Sequence, residues 1–390
     1  PFLKITSDVA IAVDQLGTRK GAIAVYLEPW HIDVLDFIDL KKNSGEDRRR
    51  AHDLFPALWI GDDFMKAVEE NLDWNLYCPS EPEVVKHTMK AKDLWKKILT
   101  SYAESGSPFL CFKDTANRAN PNSHVGHIRS SNLCTEIFQN TEPNHYMVKL
   151  YYSVFGINSD EEDYILVEEN EDVLLSDGTT KKGNKITSLD TIAGKPFCFD
   201  YDLKVYCVEK HKVDGKTAVC NLASVNLSKI NTKEEFERVI PIAVRMLDNV
   251  IDLNYYPLKK VKDTNLKSRS IGLGVMGEAQ MLAENKVMFG SREHFKWIDK
   301  IMEQFSYNAI KSSMELAREK GSYPDFSGSK WSEGIFPQDH ANEDVLELTD
   351  SHLDDEMNAK WTELRKNVRE SGIRNGYLMA IAPTSSISIL

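Results

Sequence analysis

Apolar positions in this chain fall into two regimes. Short unbroken apolar runs bounded by turn formers suit buried strands, and apolar residues recurring every three or four positions suit one face of a helix. Residues 22–28 (Ala-Ile-Ala-Val-Tyr-Leu-Glu) read as a buried strand. Asp33 to Leu40 reads as a short helix, stopped by Lys41-Lys42-Asn43-Ser44-Gly45. Leu54 to Ile60 is a second strand, Asp62 to Asn71 a helix capped by Asp62 or Asp63, Ala91 to Glu104 an amphipathic helix, and Pro108 to Phe112 a third strand. Later helices run from Thr232 to Ile251, from His294 to Lys320 with a stop at Gly321, and from Met357 to Ser371 with a stop at Gly372. Ile271 to Val275 reads as a strand, and Tyr377 to Ala382 as a strand running into Pro383-Thr384-Ser385-Ser386. Gly272, Gly274 and Gly277 have Gly-x-Gly-x-x-Gly spacing, but no Rossmann βαβ context follows, so close strand packing is the expectation.

The texture changes over residues 141–212. Acidic runs such as Asp160-Glu161-Glu162-Asp163 alternate with β-type runs, for example Asp172 to Thr187 around Asp177-Gly178. This reads as a small, solvent-exposed β-rich insertion of hairpins. Elsewhere strands alternate with helices, which predicts an α/β chain with a mostly parallel sheet. The expected organisation is 1–140 as a first α/β part, 141–212 as the insertion and 213–390 as the continuation. The pattern alone leaves an open sheet and a barrel equally available.

Composition narrows the classes. The chain has 390 residues, 42% of them hydrophobic, enough for a large core. A net charge of −12 argues against general nucleic-acid affinity. The longest apolar runs are too short to span a bilayer, and no signal peptide is read. Six cysteines, with no CxxC and no zinc-type Cys/His spacing, are too sparse for a secreted disulfide scaffold. A reducing cytoplasm is expected, with no metal site. The chain starts at Pro1 without Met and stops at Leu390 within an apolar stretch, so both ends are expected to be cut.

The candidate chemistry lies in Asn132-Leu133-Cys134-Thr135-Glu136-Ile137. If this segment is extended, Asn132, Cys134 and Glu136 point to one face and combine a sulfur centre, a neutral hydrogen-bonding amide and a potential base. A second cysteine opens Cys220-Asn221-Leu222-Ala223-Ser224-Val225-Asn226-Leu227. A single cysteine in an apolar run is most often a buried small hydrophobe. What outweighs that here is agreement among several segments in order: "GAIAVYLEPWHIDVLDFIDLKKN", "DLFPALWI", "SNLCTEI", "CNLASVNL", "NYYP", "IGLGVMG" and "GIRNGYLMAIAPTSS". Together, over residues 1–140 and 213–390, they resemble the large catalytic subunit of class I ribonucleotide reductases.

The resemblance implies a ten-stranded α/β barrel of two five-stranded halves, with the reactive cysteine on an inner finger loop. It implies radical-based reduction of ribonucleoside diphosphates to deoxyribonucleotides. Cys134 matches the cysteine that becomes a thiyl radical and abstracts the 3′-hydrogen. Glu136 matches the general base for the 3′-hydroxyl, and Asn132 the amide that holds the sugar hydroxyls. Cys220 matches one of two reducing cysteines; the other, the tyrosine relay and the shuttle cysteines are expected outside Pro1–Leu390. Ser131, Thr384, Ser385 and Ser386 match substrate-binding positions, the last three gripping the diphosphate at a helix start. An ordinary Ser/Thr cap is the plainer alternative for that run. Gln15 and Arg19 match contacts of the loop linking the specificity effector to the substrate base, where a plain solvated turn is equally available.

No cofactor is expected on this chain itself. The radical would come from a metal-containing small (beta) subunit, the reductant would be thioredoxin or glutaredoxin, and ATP and dNTPs would be effectors of a homodimeric large subunit. Tyr151-Tyr152 and Tyr255-Tyr256 read as packing tyrosines. A cobalamin-dependent (class II) reductase is the alternative of the same chemistry, and a catalytically silent nucleotide-binding relative the alternative of another class. The departure from the family pattern is the insertion, which separates Cys134 from Cys220 by 86 positions. It must leave the two cysteines in one pocket.

Overall fold

The computed structural model describes residues 2–13, 20–154, 157–168, 172–174, 180–182, 191–192, 203–341, 348–349 and 354–389, with the backbone alone across 145–213. Gln15, Arg19 and the Asp177-Gly178 turn lie outside the described residues. The chain forms two compact units. One comprises Pro1–Gln139, Cys220–Asn254 and Leu266–Leu390; the other comprises Asn140–Val219 and Tyr255–Asn265.

The first segment runs α1 (Phe2–Ala12), β1 (Ile23–Leu27), α2 (Val34–Ile38), β2 (Leu54–Ile60), α3 (Asp62–Glu69), β3 (Asp73–Cys78), β4 (Glu81–Lys90), α4 (Ala91–Ser105), β5 (Phe109–Phe112), α5 (Lys113–Ala119), β6 (Ile128–Ser131) and β7 (Phe138–Asn140). Strands β1, β2 and β5 form a parallel sheet in that order, with Tyr26 opposite Ala57 and Trp59 opposite Cys111. The central strand is covered on both faces, as parallel sheets require. Leu54, Leu58 and Ile60 pack with Phe37, Phe64, Leu94 and Ile98. Trp59 and Cys111 pack instead with Ile128, Tyr26 and Phe138. Each fully buried side chain of this size contributes roughly 1.5–3 kcal/mol. Pro56, which has no N–H to give, lies one residue before the β5 pairing begins at Ala57.

The cap expected at Asp62 or Asp63 is corrected. The N-cap of α3 is Gly61, and both aspartates lie in the first turn. The free amides there are met otherwise: Asp62 N donates to Asp114 Oδ2 at 2.7 Å and Phe64 N to Asp63 Oδ1 at 2.8 Å.

The second unit contains β8 (His145–Val154), β9 (Ile157–Glu168), β10 (Asp172–Leu174), β11 (Thr180–Lys182), β12 (Thr191–Ile192) and β13 (Leu203–Val213). β12, β13, β8 and β9 pair antiparallel in that order, and β10 pairs antiparallel with β11.

The chain continues through β14 (Leu222–Asn226), α6 (Lys233–Leu253), α7 (Lys259–Ser268), β15 (Gly272–Met276), α8 (Glu278–Glu284), α9 (Arg292–Lys320), α10 (Lys330–Glu333) and α11 (Asp355–Ser371). Helix α6 opens with a capping box between Thr232 and Glu235. Its Phe236, Ile240, Val244, Leu247 and Ile251 recur at helical spacing and join Phe305 and Ala309 of α9 in the largest core. β14 and β15 pair in parallel. The strand expected over Tyr377–Ala382 is reduced to a single bridge, Leu273 to Met379, with hydrogen bonds from Ile271 N to Tyr377 O and Ala380 N to Leu273 O.

A buried charge cluster fixes this corner. Asp248 is fully buried and meets Arg269 at 2.7 Å, Arg374 at 3.3 Å and Lys320 at 3.4 Å. Arg269 adopts a left-handed φ of 43° and also binds Asp252 at 2.8 Å. One carboxylate thus anchors the residues that lead into β15 and into the 377–380 segment.

Among the described strands of the first unit there is one three-stranded sheet and three pairs, and no closed barrel. No helix among the described residues is long and apolar enough to cross a membrane.

Candidate active site

The Asn132–Ile137 segment is not extended. It is the tight turn between β6 and β7, with a bend at Thr135, whose φ is 62°. The alternation argument for one shared face therefore does not apply. Instead, the Asn132 side chain organises the turn. Its Oδ1 accepts from Glu136 N and Ile137 N, both at 3.1 Å, while Asn132 N donates to Ile137 O at 3.0 Å and Thr135 N to Asn132 O at 3.2 Å. A four-residue loop closed on one amide lifts Cys134 to an exposed position.

The other half of the Asn132 amide faces Cys220. Asn132 Nδ2 donates to Cys220 Sγ at 3.4 Å. Cys220 is placed by its neighbour: Asn221 Nδ2 donates to Leu247 O at 2.9 Å, and Asn221 O accepts from Gly272 N at 2.9 Å. Burial of the sulfur pushes the Cys220 thiol up, the Asn132 amide pulls it down, and the charges of Glu136 and Cys134 push it up again. Cys220, like Cys134, is exposed as a residue. Asn132, Cys134, Glu136 and Cys220 are thus brought together. Glu136 Oε2 is buried with no hydrogen-bond partner. A buried acceptor left unpaired costs on the order of 1–3 kcal/mol.

Gly272 is where the pieces meet. A Cβ there would lie 2.5 Å from Leu222 Cδ2, 3.0 Å from Ala380 Cβ and 3.2 Å from Ile137 Cδ1. At Gly274 a Cβ would strike the Ala380 carbonyl oxygen at 2.1 Å. These glycines serve close backbone approach, not a phosphate loop.

Ser131 ends β6 at the root of the turn. Its hydroxyl donates to Asn132 O at 2.8 Å and bonds Tyr26 Oη. Thr384, Ser385 and Ser386 do not begin an α-helix at Pro383. Thr384 has a left-handed φ of 57°, which breaks a helical run, and only a short 3-10 turn over Ile387–Ile389 follows. The hydrogen bonds of the run include Ser388 N to Thr384 O at 3.0 Å and Ile389 N to Ser386 O at 3.2 Å. Gln15 and Arg19 lie outside the described residues.

Of the other cysteines, Cys78 lies in the β3–β4 hairpin 3.0 Å from Ser80 Oγ, Cys111 is buried, Cys207 lies on β13 and Cys198 is outside the described residues. Among the described residues no group of three or more His, Cys, Asp or Glu is placed to hold a metal ion. A cavity of about 290 Å³ lined by Phe2, Leu27, Phe37 and Arg48 is formed by other residues than those of the turn.

The model of the ribonucleotide reductase barrel domain matches residues 1–390. The chain belongs to that family. The ribonucleoside-diphosphate reductase subunit alpha of Helicobacter pylori (strain J99 / ATCC 700824) is 58% identical over 412 residues, covering 100% of this chain and 50% of that protein. The subunit of the same name from Treponema pallidum is 37% identical, covering all of this chain and 42% of that protein. The ribonucleoside-diphosphate reductase large chain of Neurospora crassa is 33% identical, covering all of this chain and 36% of that protein. The chain thus spans half or less of the length of these curated relatives.

Within this reductase barrel-domain family member, the supports of the turn were not found by sequence reasoning. Tyr26, Trp59, Cys111 and Phe138 sit directly behind it. The available signal was a tyrosine in an otherwise apolar strand, since a buried phenol normally seeks a hydrogen-bond partner.

Proposed function

We propose that the chain is the catalytic barrel portion of a ribonucleoside-diphosphate reductase large subunit, completing a ten-stranded barrel in the whole protein. The observation that carries this is the Asn132 amide, which ties the Cys134 turn to Cys220 at 3.4 Å although the two residues are 88 positions apart in sequence. A reaction that abstracts hydrogen at one sulfur and draws reducing equivalents from another needs both beside one ribose.

In this reading Cys134, as a thiyl radical, takes the 3′-hydrogen, an S–H bond forming as the C3′–H bond breaks, and after reduction it returns that hydrogen to C3′ and is left as the thiyl radical again. Glu136 accepts the 3′-hydroxyl proton. Its unpaired, buried Oε2 supports that role. Asn132 holds the sugar hydroxyls. Cys220 and a second cysteine give up two electrons and two protons as the 2′-hydroxyl leaves as water, and end as a disulfide. An external dithiol, thioredoxin or glutaredoxin, resets it by exchange. Ser131 and Thr384 to Ser386 contact the substrate, the latter three its diphosphate, and Gln15 and Arg19 report the nucleotide effector. The radical is supplied by a metal-containing small subunit, the large subunit is a homodimer, and the enzyme works in the cytoplasm.

The test uses the full-length protein with its radical-generating partner, a dithiol and a ribonucleoside diphosphate. Cys134→Ser is expected to abolish deoxyribonucleotide formation while leaving the fold and nucleotide binding intact. Product formation by Cys134→Ser at the parent rate would overturn the reading.

A further inference from the structure

Behind the turn, Tyr26 and Cys111, which the chemistry above does not use, lie beside Ser131. Tyr26 lies on β1, one residue before its end, and Cys111 on β5. Ser131 Oγ lies 2.8 Å from Asn132 O. The Tyr26 and Ser131 hydroxyls share one hydrogen bond, and either can be its donor while the other gives its hydrogen to Asn132 O. The phenol also lies 3.4 Å from Asn132 O. Burial holds the Tyr26 hydroxyl above its ordinary range, so it stays a donor. Cys111 packs in the same cluster as Tyr26, and burial pushes its thiol up as well.

The far root of the turn is gripped by the same group. The Tyr26 ring meets Trp59 edge-on at 5.9 Å, and Trp59 stacks on Phe138 at 6.2 Å, where β7 begins. One end of the turn is held by a hydroxyl pair and the other by ring packing, both from the β1–β2–β5 sheet. Between them lies Asn132, whose backbone carbonyl accepts from that pair and whose side chain reaches Cys220.

We propose that Tyr26 is a positioning residue for this site: its hydroxyl, together with that of Ser131, fixes the Asn132 backbone so that the Asn132 amide reaches the Cys220 sulfur. The inference rests on the reading of the turn as the reductase site only for its effect on turnover. Its effect on Cys220 is independent of that reading. Nothing here requires Tyr26 to touch substrate.

Tyr26→Phe keeps the ring and its packing on Trp59 and removes only the donor. In the full-length protein, iodoacetamide modification of Cys220, followed by peptide mass across pH, reads the thiol directly. Losing the aligned Asn132 donor disfavours the thiolate, so the Cys220 profile of Tyr26→Phe moves to higher pH, in the direction that Asn132→Ala also gives. With the partner subunit present, kcat falls roughly fivefold to tenfold while KM stays within about twofold, as expected for loss of one hydrogen bond that orients a reacting group. Ser131→Ala removes the other hydroxyl of the pair and gives the same shift; it decides the matter should Tyr26→Phe melt early.

An unchanged Cys220 profile in both variants overturns the proposal, whether or not kcat falls. A shifted profile in a parent protein that reduces no ribonucleotide upholds the positioning role and rejects the reductase reading instead.

Discussion

Asn132 donates its side-chain amide to the sulfur of Cys220 across 3.4 Å, joining residues 88 positions apart. The same side chain accepts the Glu136 and Ile137 amides. One residue therefore sets both the shape of the turn and its distance from the second cysteine. Asn132→Ala removes three hydrogen bonds at once. Each is worth about 1 kcal/mol in a site of this kind, so a loss of turnover on the order of a hundredfold is expected, with the Cys220 thiol titrating higher. Steady-state rates with the full-length protein check the first, and alkylation across pH the second. A Cys220 profile identical to the parent would mean the contact does not exist in solution.

The cysteines should separate by pH. The Ser80 hydroxyl holds the Cys78 thiol below the usual range, whereas burial holds Cys220 and Cys111 above it. The thiolate is the reacting form. As pH is raised on the native protein, Cys78 is expected to alkylate first, and Cys220 and Cys111 only at higher pH. Peptide mapping after timed iodoacetamide exposure reads the order. Cys220 reacting before Cys78 would contradict the surroundings assigned to it.

Removing Asp248 should unsettle the fold. It is fully buried against two arginines and a lysine, and Arg269 is itself only 5% exposed. Removing Asp248 leaves Arg269 with Asp252 alone and takes the carboxylate from Arg374 and Lys320, at a cost of about 3–5 kcal/mol. Asp248→Ala is expected to lower the melting temperature sharply and to loosen the 377–380 segment. A shift of less than a degree or so would show that the cations find other partners.

Two glycine substitutions should part company. At Gly274 a Cβ meets the Ala380 carbonyl oxygen at 2.1 Å, which backbone cannot yield cheaply. At Gly106, which ends α4 with a φ of 68°, a Cβ meets nothing within 4 Å. Gly106→Ala is expected to cost only the left-handed strain, about 1–2 kcal/mol, and Gly274→Ala clearly more. Chemical denaturation of the two variants compares them. Equal costs would remove the close-packing account of Gly274.

What the sequence made legible was periodic. Leu54–Ile60 is a strand with the expected bounds because its apolar run is unbroken, and the long α9 and α11 helices end at Gly321 and Gly372 as marked. The conformation of the Asn132–Ile137 turn was not legible. A positive φ at Thr135 and a side chain that closes its own loop leave no trace in an apolar pattern. The same holds for the left-handed Thr384, which replaces a helix start with a short 3-10 turn. The β3–β4 hairpin escaped notice because β4 is exposed over most of its length and carries no apolar alternation. The candidate residues stand out in the sequence as a motif, but what places them is tertiary: Asn221 on Leu247, Ile137 on Gly272 and Tyr26 on Ser131.

The most direct measurement of the central claim follows the thiol of Cys220 through turnover. The full-length protein, with its radical-generating partner and a ribonucleoside diphosphate but no external dithiol, is denatured after product has formed, and its free thiols are alkylated and mapped. The account predicts that product formation stops after a single round and that Cys220 is then found in a disulfide and escapes alkylation, with Cys220→Ser giving no sustained turnover when dithiol is restored. Deoxyribonucleotide accumulating while Cys220 stays fully alkylatable would contradict it.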